Sequence, residues 1–366
     1  MRFIPPSSLA TAVLLLALSP GPARAAESGA AEIRTTDLAG NAIVLPKPAE
    51  RIVALPAPSA PTVIAADRSA DRLVGMHQTV GEVAKGGLLG RLFPRLNRLP
   101  ASLLSAGKSA FMPNVEAIAA LEPDLVLQRG ELGPQIVSPL AEAGLKTALV
   151  VYGDEETTRR NIRLMADLTG HPERAEALIG WRDEVLARIR RPDGTAGKKP
   201  TVLFLSRLAG HLVVTGQNTP TDFAIAAAGG RNLAAERSGS ITVTAEQIMI
   251  WDPEVILLNS ADRDLQPADI RNDPLLSGTA AAKAGRVYKV PVGAFRWEPP
   301  NAENPLFWLW LAKLFHPVAN GYDLRAEVRR GIGLVYGGEP TDAEIDRLLL
   351  ADVNRGALNY DRIVGP

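Results

Sequence analysis

Arginine and aromatic residues recur just past short apolar runs in this sequence. His77 follows Leu73-Val74-Gly75-Met76, Arg129 comes shortly after Leu125-Val126-Leu127, and Tyr152 follows Ala148-Leu149-Val150-Val151. Arg207 comes shortly after Val202-Leu203-Phe204-Leu205, Arg296-Trp297 lie beyond Val287-Tyr288-Lys289-Val290, and Phe111-Met112 precede a segment with a helix cap. Arginines suit carboxylates and other anionic groups because their donors form a planar fork, and aromatic rings can cover a flat or greasy face. Such a set describes a bowl that holds a ligand. Catalysis has less support. There is no cysteine, no nucleophile-elbow pattern and no spaced-glycine turn after a strand, since "KGGLLG" lacks the spacing and "AAAGGRN" ends a helix. A bare metal ion would need several His, Asp or Glu side chains converging on it. The nearest two of the four histidines, His171 and His211, are about 40 residues apart. No histidine-built metal site is therefore expected, and no permanently bound cofactor.

The elements that would position these residues alternate. Asp37 to Asn41 has the Gly-Asn chemistry of a hairpin turn and leads to the apolar run Arg51 to Leu55, which Pro56 stops. The runs at 125–127, 148–151, 202–205, 255–258 and 287–290 are apolar throughout, as in parallel strands covered on both faces. Amphipathic helical segments such as Val115 to Leu121, Pro134 to Ala143 and Thr221 to Ala228 lie between them. This is an α/β pattern, and in open α/β sheets ligands sit beyond the carboxyl ends of strands, where the candidate residues fall. From Glu155 to Arg191 two helical patterns follow each other without a strand, separated by Gly170-His171-Pro172. The second reads as a strut between two halves, and the linker-like stretch Pro192 to Pro200 follows it. The halves resemble each other. "NVEAIAALEPDLVL" (114–127) and "TAEQIMIWDPEVIL" (244–257) align without a gap: a cap at Asn114 or Thr244, an acid at Glu116 or Glu246, then a proline and a strand.

The first 25 residues read as a cleavable export signal, with Arg2, the apolar stretch Leu9 to Leu18 and the small-residue site Ala23-Arg24-Ala25. That stretch is about half the length a membrane-spanning helix needs. Its removal leaves 38 Lys plus Arg against 40 Asp plus Glu, a formal charge of −2, which gives no reason to expect nucleic acid or an anionic membrane as partner. About 340 remaining residues favour two domains over one core. The expected organisation is a signal peptide at 1–25, an N-terminal α/β lobe at 26–153, an interlobe helical segment at 154–198 and a C-terminal α/β lobe at 199–366. With no thiol to take a lipid, a freely diffusing periplasmic monomer is expected.

These motifs carry a family resemblance over nearly the whole mature chain. "TDLAGNAIVLPKPAERIVALPAPSAPTVIAADRSADRLVGM" resembles the opening hairpin and first βαβ unit of the class III substrate-binding proteins of ABC importers, and "PNVEAIAALEPDLVL" resembles that family's most recognisable motif. "LTGHPERAEALI" resembles its turn into the long interlobe helix, and "DPLLSGTAAAKAGRVYKVP" its last βαβ crossover. The resemblance implies two Rossmann-like lobes with parallel-rich sheets joined by one long helix, and no enzymatic activity. It implies capture of a metal chelate, of the iron-siderophore type first, with cobalamin, haem or a free transition-metal ion as alternatives. A two-lobed enzyme such as a glycosyltransferase is the alternative of another class. The partner implied is the membrane permease dimer, on whose arginines the family's glutamates at the positions of Glu116 and Glu246 dock. Where many relatives have serine or threonine after the first strand, this chain reads Leu55-Pro56-Ala57-Pro58 and offers no hydroxyl.

Overall fold

A computed structural model describes residues 1–2, 32–105, 111–189 and 199–365. The apolar stretch and cleavage site of the expected signal, and linker residues 192–198, lie outside these. Strands β1 (Ile33–Thr36) and β2 (Ala42–Leu45) form an antiparallel hairpin around Asp37. The buried Asp37 carboxylate makes the turn by accepting from the backbone N–H of Ala39 and Asn41, and its other oxygen accepts from Leu149 N. The hairpin is thereby tied to the first main sheet.

That sheet contains β3 (Ile52–Ala54), β4 (Leu73–Met76), β5 (Leu125–Arg129) and β6 (Thr147–Val150) in the order β4-β3-β5-β6, all parallel. Its central strands are buried along their lengths, which explains their unbroken apolar runs. The second sheet contains β7 (Thr201–Leu208), β8 (His211–Thr215), β9 (Arg231–Asn232), β10 (Ser240–Val243), β11 (Val255–Leu258) and β12 (Val287–Lys289). Its path runs β10-β8-β7-β11-β12; β7, β11 and β12 are parallel, β8 runs antiparallel to both its neighbours β7 and β10, and β9 pairs parallel with β7 off the path. In the first sheet the chain goes from β3 to β4 on one side and then to β5 on the other, and in the second from β7 to β8 on one side and later to β11 on the other. The strand order therefore reverses at β3/β5 and β7/β11, the points beyond whose carboxyl ends such sheets take ligands in a crevice.

The helices Glu155–Thr169 and Pro172–Ile189 follow β6 without an intervening strand, joined at Gly170 in the left-handed conformation. The second extends about 27 Å at 1.5 Å per residue. It is no bare connector. Arg174 donates to Ala65 O of the first lobe and to Leu334 O of the C-terminal helices. Arg182, which is 1% exposed, pairs with Glu155 at 2.5 Å, donates to Asn301 O and lies over the Trp308 ring. The helix Asn304–Phe315 beside it is apolar nearly all round, so Trp308 and Trp310 are buried. One continuous core runs from β3 and β5 through these helices to β7 and β11.

Candidate functional site

The carboxyl end of β5 delivers Arg129 to the crevice of the first lobe. Its guanidinium lies over two aromatic rings, 3.9 Å from the Tyr152 centroid and 5.4 Å from that of Phe111. Glu131 takes one edge of the fork. Nε and Nη2 of Arg129 donate to its Oε1 at 2.7 and 2.5 Å, and Tyr152 N donates to the same oxygen. Phe111 is about half exposed and Met112 partly buried beside it; both border a small hollow with Pro56 and Gln128. Burial pushes the Tyr152 hydroxyl up from its ordinary pKa, Arg129 and Arg296 oppose that shift, and Glu131 adds to it. Arg296 comes from the second lobe, so the field at Tyr152 is built from both sides. A second small hollow, bordered by Pro58, Tyr152, Asn161 and Pro300, also joins the lobes.

The loop that carries Arg296 is fastened from below. Glu303 is fully buried and accepts from Ala294 N, Phe295 N, Trp297 Nε1 and the Tyr336 hydroxyl at 2.7–3.1 Å. Burial pushes its carboxyl up to about 7, although the four donors, Tyr336 foremost, favour the ionised form. Asn301 Nδ2 donates to the carbonyls of Arg296 and Pro299, and Asn304 Nδ2 to that of Trp297. Because Arg182 donates to Asn301 O, the strut also holds this loop. Arg296 itself donates to Asn259 Oδ1 at 3.3 Å and lies 3.6 Å from Glu298.

Of the residues expected in the bowl, Phe111, Arg129 and Tyr152 are in contact, and Arg296 of the other lobe pairs with Asn259 and Glu298. Trp297 corrects the expectation that it faces the cleft. Its side chain is fully buried and its indole N–H is spent on Glu303, because the chain turns inward at that point to pack on the Trp-rich helix. Arg207 is also placed differently. It lies inside a ladder rather than past a strand end, since β7 runs on to Leu208 and turns through Ala209 and Gly210, both at positive φ, into β8. Its side chain is exposed and its backbone N–H donates to Asp262. The Ala-Gly pair between two apolar runs was the available signal for that hairpin. His77 caps the helix Gln78–Ala84, its Nδ1 accepting from Thr79 N, and burial lowers its pKa against the opposing charge of Glu82. Reasoning from the sequence missed Glu131, Asn259, Glu298 and Glu303. The signal for the first and third was an acid two residues after Arg129 and after Arg296.

The two acids on the capped helices are exposed as their positions suggest. Asn114 Oδ1 accepts from Ala117 N in the helix Val115–Ala119, and Thr244 Oγ1 from Gln247 N in the helix Ala245–Trp251. Glu116 and Glu246 stand in the first turns. Hydrogen bonding to its own backbone N–H and to Thr244 lowers the Glu246 carboxyl. A larger cavity of about 410 Å³ lies between β10 and the second of these helices, and none of the candidate ligand-binding residues lines it. Among the described residues there is no cluster of three or more His, Asp or Glu that could hold a metal ion.

Two α/β lobes, a shared helical spine and a polar-aromatic crevice between strand ends define a two-lobed solute receptor. The sequence profile of the periplasmic binding protein family matches residues 108–292. A solved periplasmic solute-binding protein of Veillonella parvula is 31% identical, with a TM-score of 0.77, 88% of this chain covered and 98% of that one. A cobalamin-binding protein of Halobacterium salinarum is 28% identical over 292 residues, which are 76% of this chain and 73% of the relative. The molybdate-binding protein MolA of Haemophilus influenzae is 25% identical over 62% of this chain and 69% of its own length. The chain belongs to the periplasmic binding protein family and, within it, to the class III substrate-binding proteins of ABC importers. Members of this family carry solutes and catalyse no reaction, so the enzyme alternative falls away.

Proposed function

We propose that this chain captures a metal chelate between its lobes in the periplasm and delivers it to the permease dimer of its importer. The observation that carries this reading is the Arg129 guanidinium lying over the Tyr152 and Phe111 rings at the end of β5, with Tyr152 and Pro58 bordering one hollow together with Pro300 of the opposite lobe. A chelate already satisfies most of its metal's coordination, so its receptor needs aromatic surface and a few polar anchors rather than a set of metal ligands. A ferric siderophore and a corrinoid both fit this description, and the cobalamin-binding relative favours giving the corrinoid equal weight. In this reading Glu116 and Glu246 dock the permease, residues 26–153 and 199–366 act as the two lobes, and 154–198 as the strut between them. The protein works as a monomer, freed from its signal at 1–25 and without a lipid anchor. Native mass spectrometry with metal analysis of protein purified from its own periplasm tests the proposal. The expected result is one retained chelate per chain; a bare ion or an organic solute without metal would overturn it.

A further inference from the structure

Each arginine of the cleft arrives with a carboxylate two residues on. Arg129-Gly130-Glu131 ends β5, and Arg296-Trp297-Glu298 lies beyond β12, so the same spacing recurs on both sides of the crevice. In the first lobe, Nε and Nη2 of Arg129 are both engaged by Glu131 Oε1. In the second, Arg296 Nε lies 3.6 Å from Glu298 Oε2, and both atoms are buried without a hydrogen-bond partner. Glu298 is only 7% exposed and is aimed there by its other oxygen, which accepts from Ser260 N at 2.7 Å.

From this arrangement we infer that the cleft is charge-compensated and selects a chelate with no net charge, which Glu131 and Glu298 distinguish from a polyanionic one. The inference rests on the chelate-receptor reading above. An anion entering the crevice meets an arginine and, a few ångströms further on, the carboxylate that already neutralises it. The attraction is largely cancelled while the cost of stripping water from the anion remains. Two rings lie against Arg129, and Glu131 occupies its Nε and Nη2 donors. At the other pair, Arg296 Nε and Glu298 Oε2 are buried against each other, so the carboxylate compensates the guanidinium from within the fold while the Arg296 side chain stays partly exposed. Neutral amide groups can pair with the remaining arginine donors without bringing charge, and a ferric tris-hydroxamate, whose three anionic ligands balance the iron, brings no net charge. The aromatic surface of Phe111 and Tyr152 then contacts the apolar part of such a ligand.

Three probes test this on the full mature chain, followed by tryptophan fluorescence and calorimetry: cyanocobalamin and a ferric tris-hydroxamate, both without net charge, and a ferric tris-catecholate, which is a polyanion. At least one uncharged chelate is expected to bind roughly tenfold or more tightly than the polyanion, the like-charge repulsion of the two glutamates being the cause. Glu131→Gln combined with Glu298→Gln should narrow that gap by strengthening binding of the polyanion. Should this variant fail to fold, the salt dependence of the unaltered protein decides, because binding of an uncharged ligand is nearly indifferent to ionic strength. Tighter binding of the tris-catecholate than of both uncharged chelates, or a steep loss of affinity with salt, overturns the charge inference and leaves the receptor reading standing. Binding of a bare metal ion with none of the three chelates overturns both.

Discussion

The two lobes carry the same helix-to-strand unit, and the match extends to backbone geometry. Asn114 and Thr244 cap, Glu116 and Glu246 follow, and eight residues after each cap the chain takes the left-handed conformation, at Glu122 (φ 47) and Asp252 (φ 45). A proline comes next, and then an acid that pins the start of the neighbouring strand. Asp124 accepts from Glu50 N and Arg51 N, and Glu254 from Thr201 N. The lobes part company at their rims. In the first, a half-exposed Phe111 and a partly buried Tyr152 lie against Arg129; in the second, the aromatic beside Arg296 is drawn fully into the core by Glu303. A shared scaffold thus presents a charge pair with open aromatic surface on one side and a charge pair on a loop fastened from the core on the other.

The sharpest way to break this contrast is to remove one ring from each side. Trp297→Ala takes away a fully buried side chain and a partner of Glu303, and should cost about 3–5 kcal/mol in urea unfolding. Phe111→Ala, at a half-exposed ring, should stay within about 0.5 kcal/mol and act on ligand affinity instead. Equal destabilisation by the two would remove the distinction between the rims.

A smaller effect follows from Glu303 and concerns the second lobe alone. Its carboxyl is raised from 4.5 to about 7, so between those values the folded state holds a proton that the unfolded state has lost. Stability from this group is fully present below about pH 4.5 and lost as pH rises through about 7, by on the order of 3 kcal/mol. Glu303→Gln should flatten that part of the stability profile. A wild-type curve that climbs across the same interval with no difference from the variant would show that the four donors outweigh burial.

The smallest effects on the isolated protein belong to the matched acids. Glu116→Ala and Glu246→Ala should leave folding and ligand affinity unchanged within error, because both side chains are exposed and neither touches the cleft cluster. Ligand uptake in proteoliposomes should fall for each and further for the double variant, since two spaced anchors fix orientation on a two-fold partner. Normal uptake by the double variant would reduce these acids to helix-end charges.

What the sequence determined by itself was whatever depends on local periodicity and on residues near one another in the chain. The unbroken apolar runs at β3, β5, β11 and β12 required burial on both faces, the caps at Asn114 and Thr244 required helix starts, and the proline after the Gly170 turn announced the strut. Strand ends therefore pointed to Arg129, Tyr152 and Arg296. Tertiary structure alone decided which way each side chain faces and what neutralises it. Trp297 reads like Tyr152 in the sequence, an aromatic residue beyond a strand, yet its direction is set by Glu303 and by Tyr336, which is 39 residues away. Arg207 left the site because β7 found β8 to pair with and ran on past the expected end. Burial and pairing are sums over distant parts of the chain, so a single segment carries only the propensity to enter them.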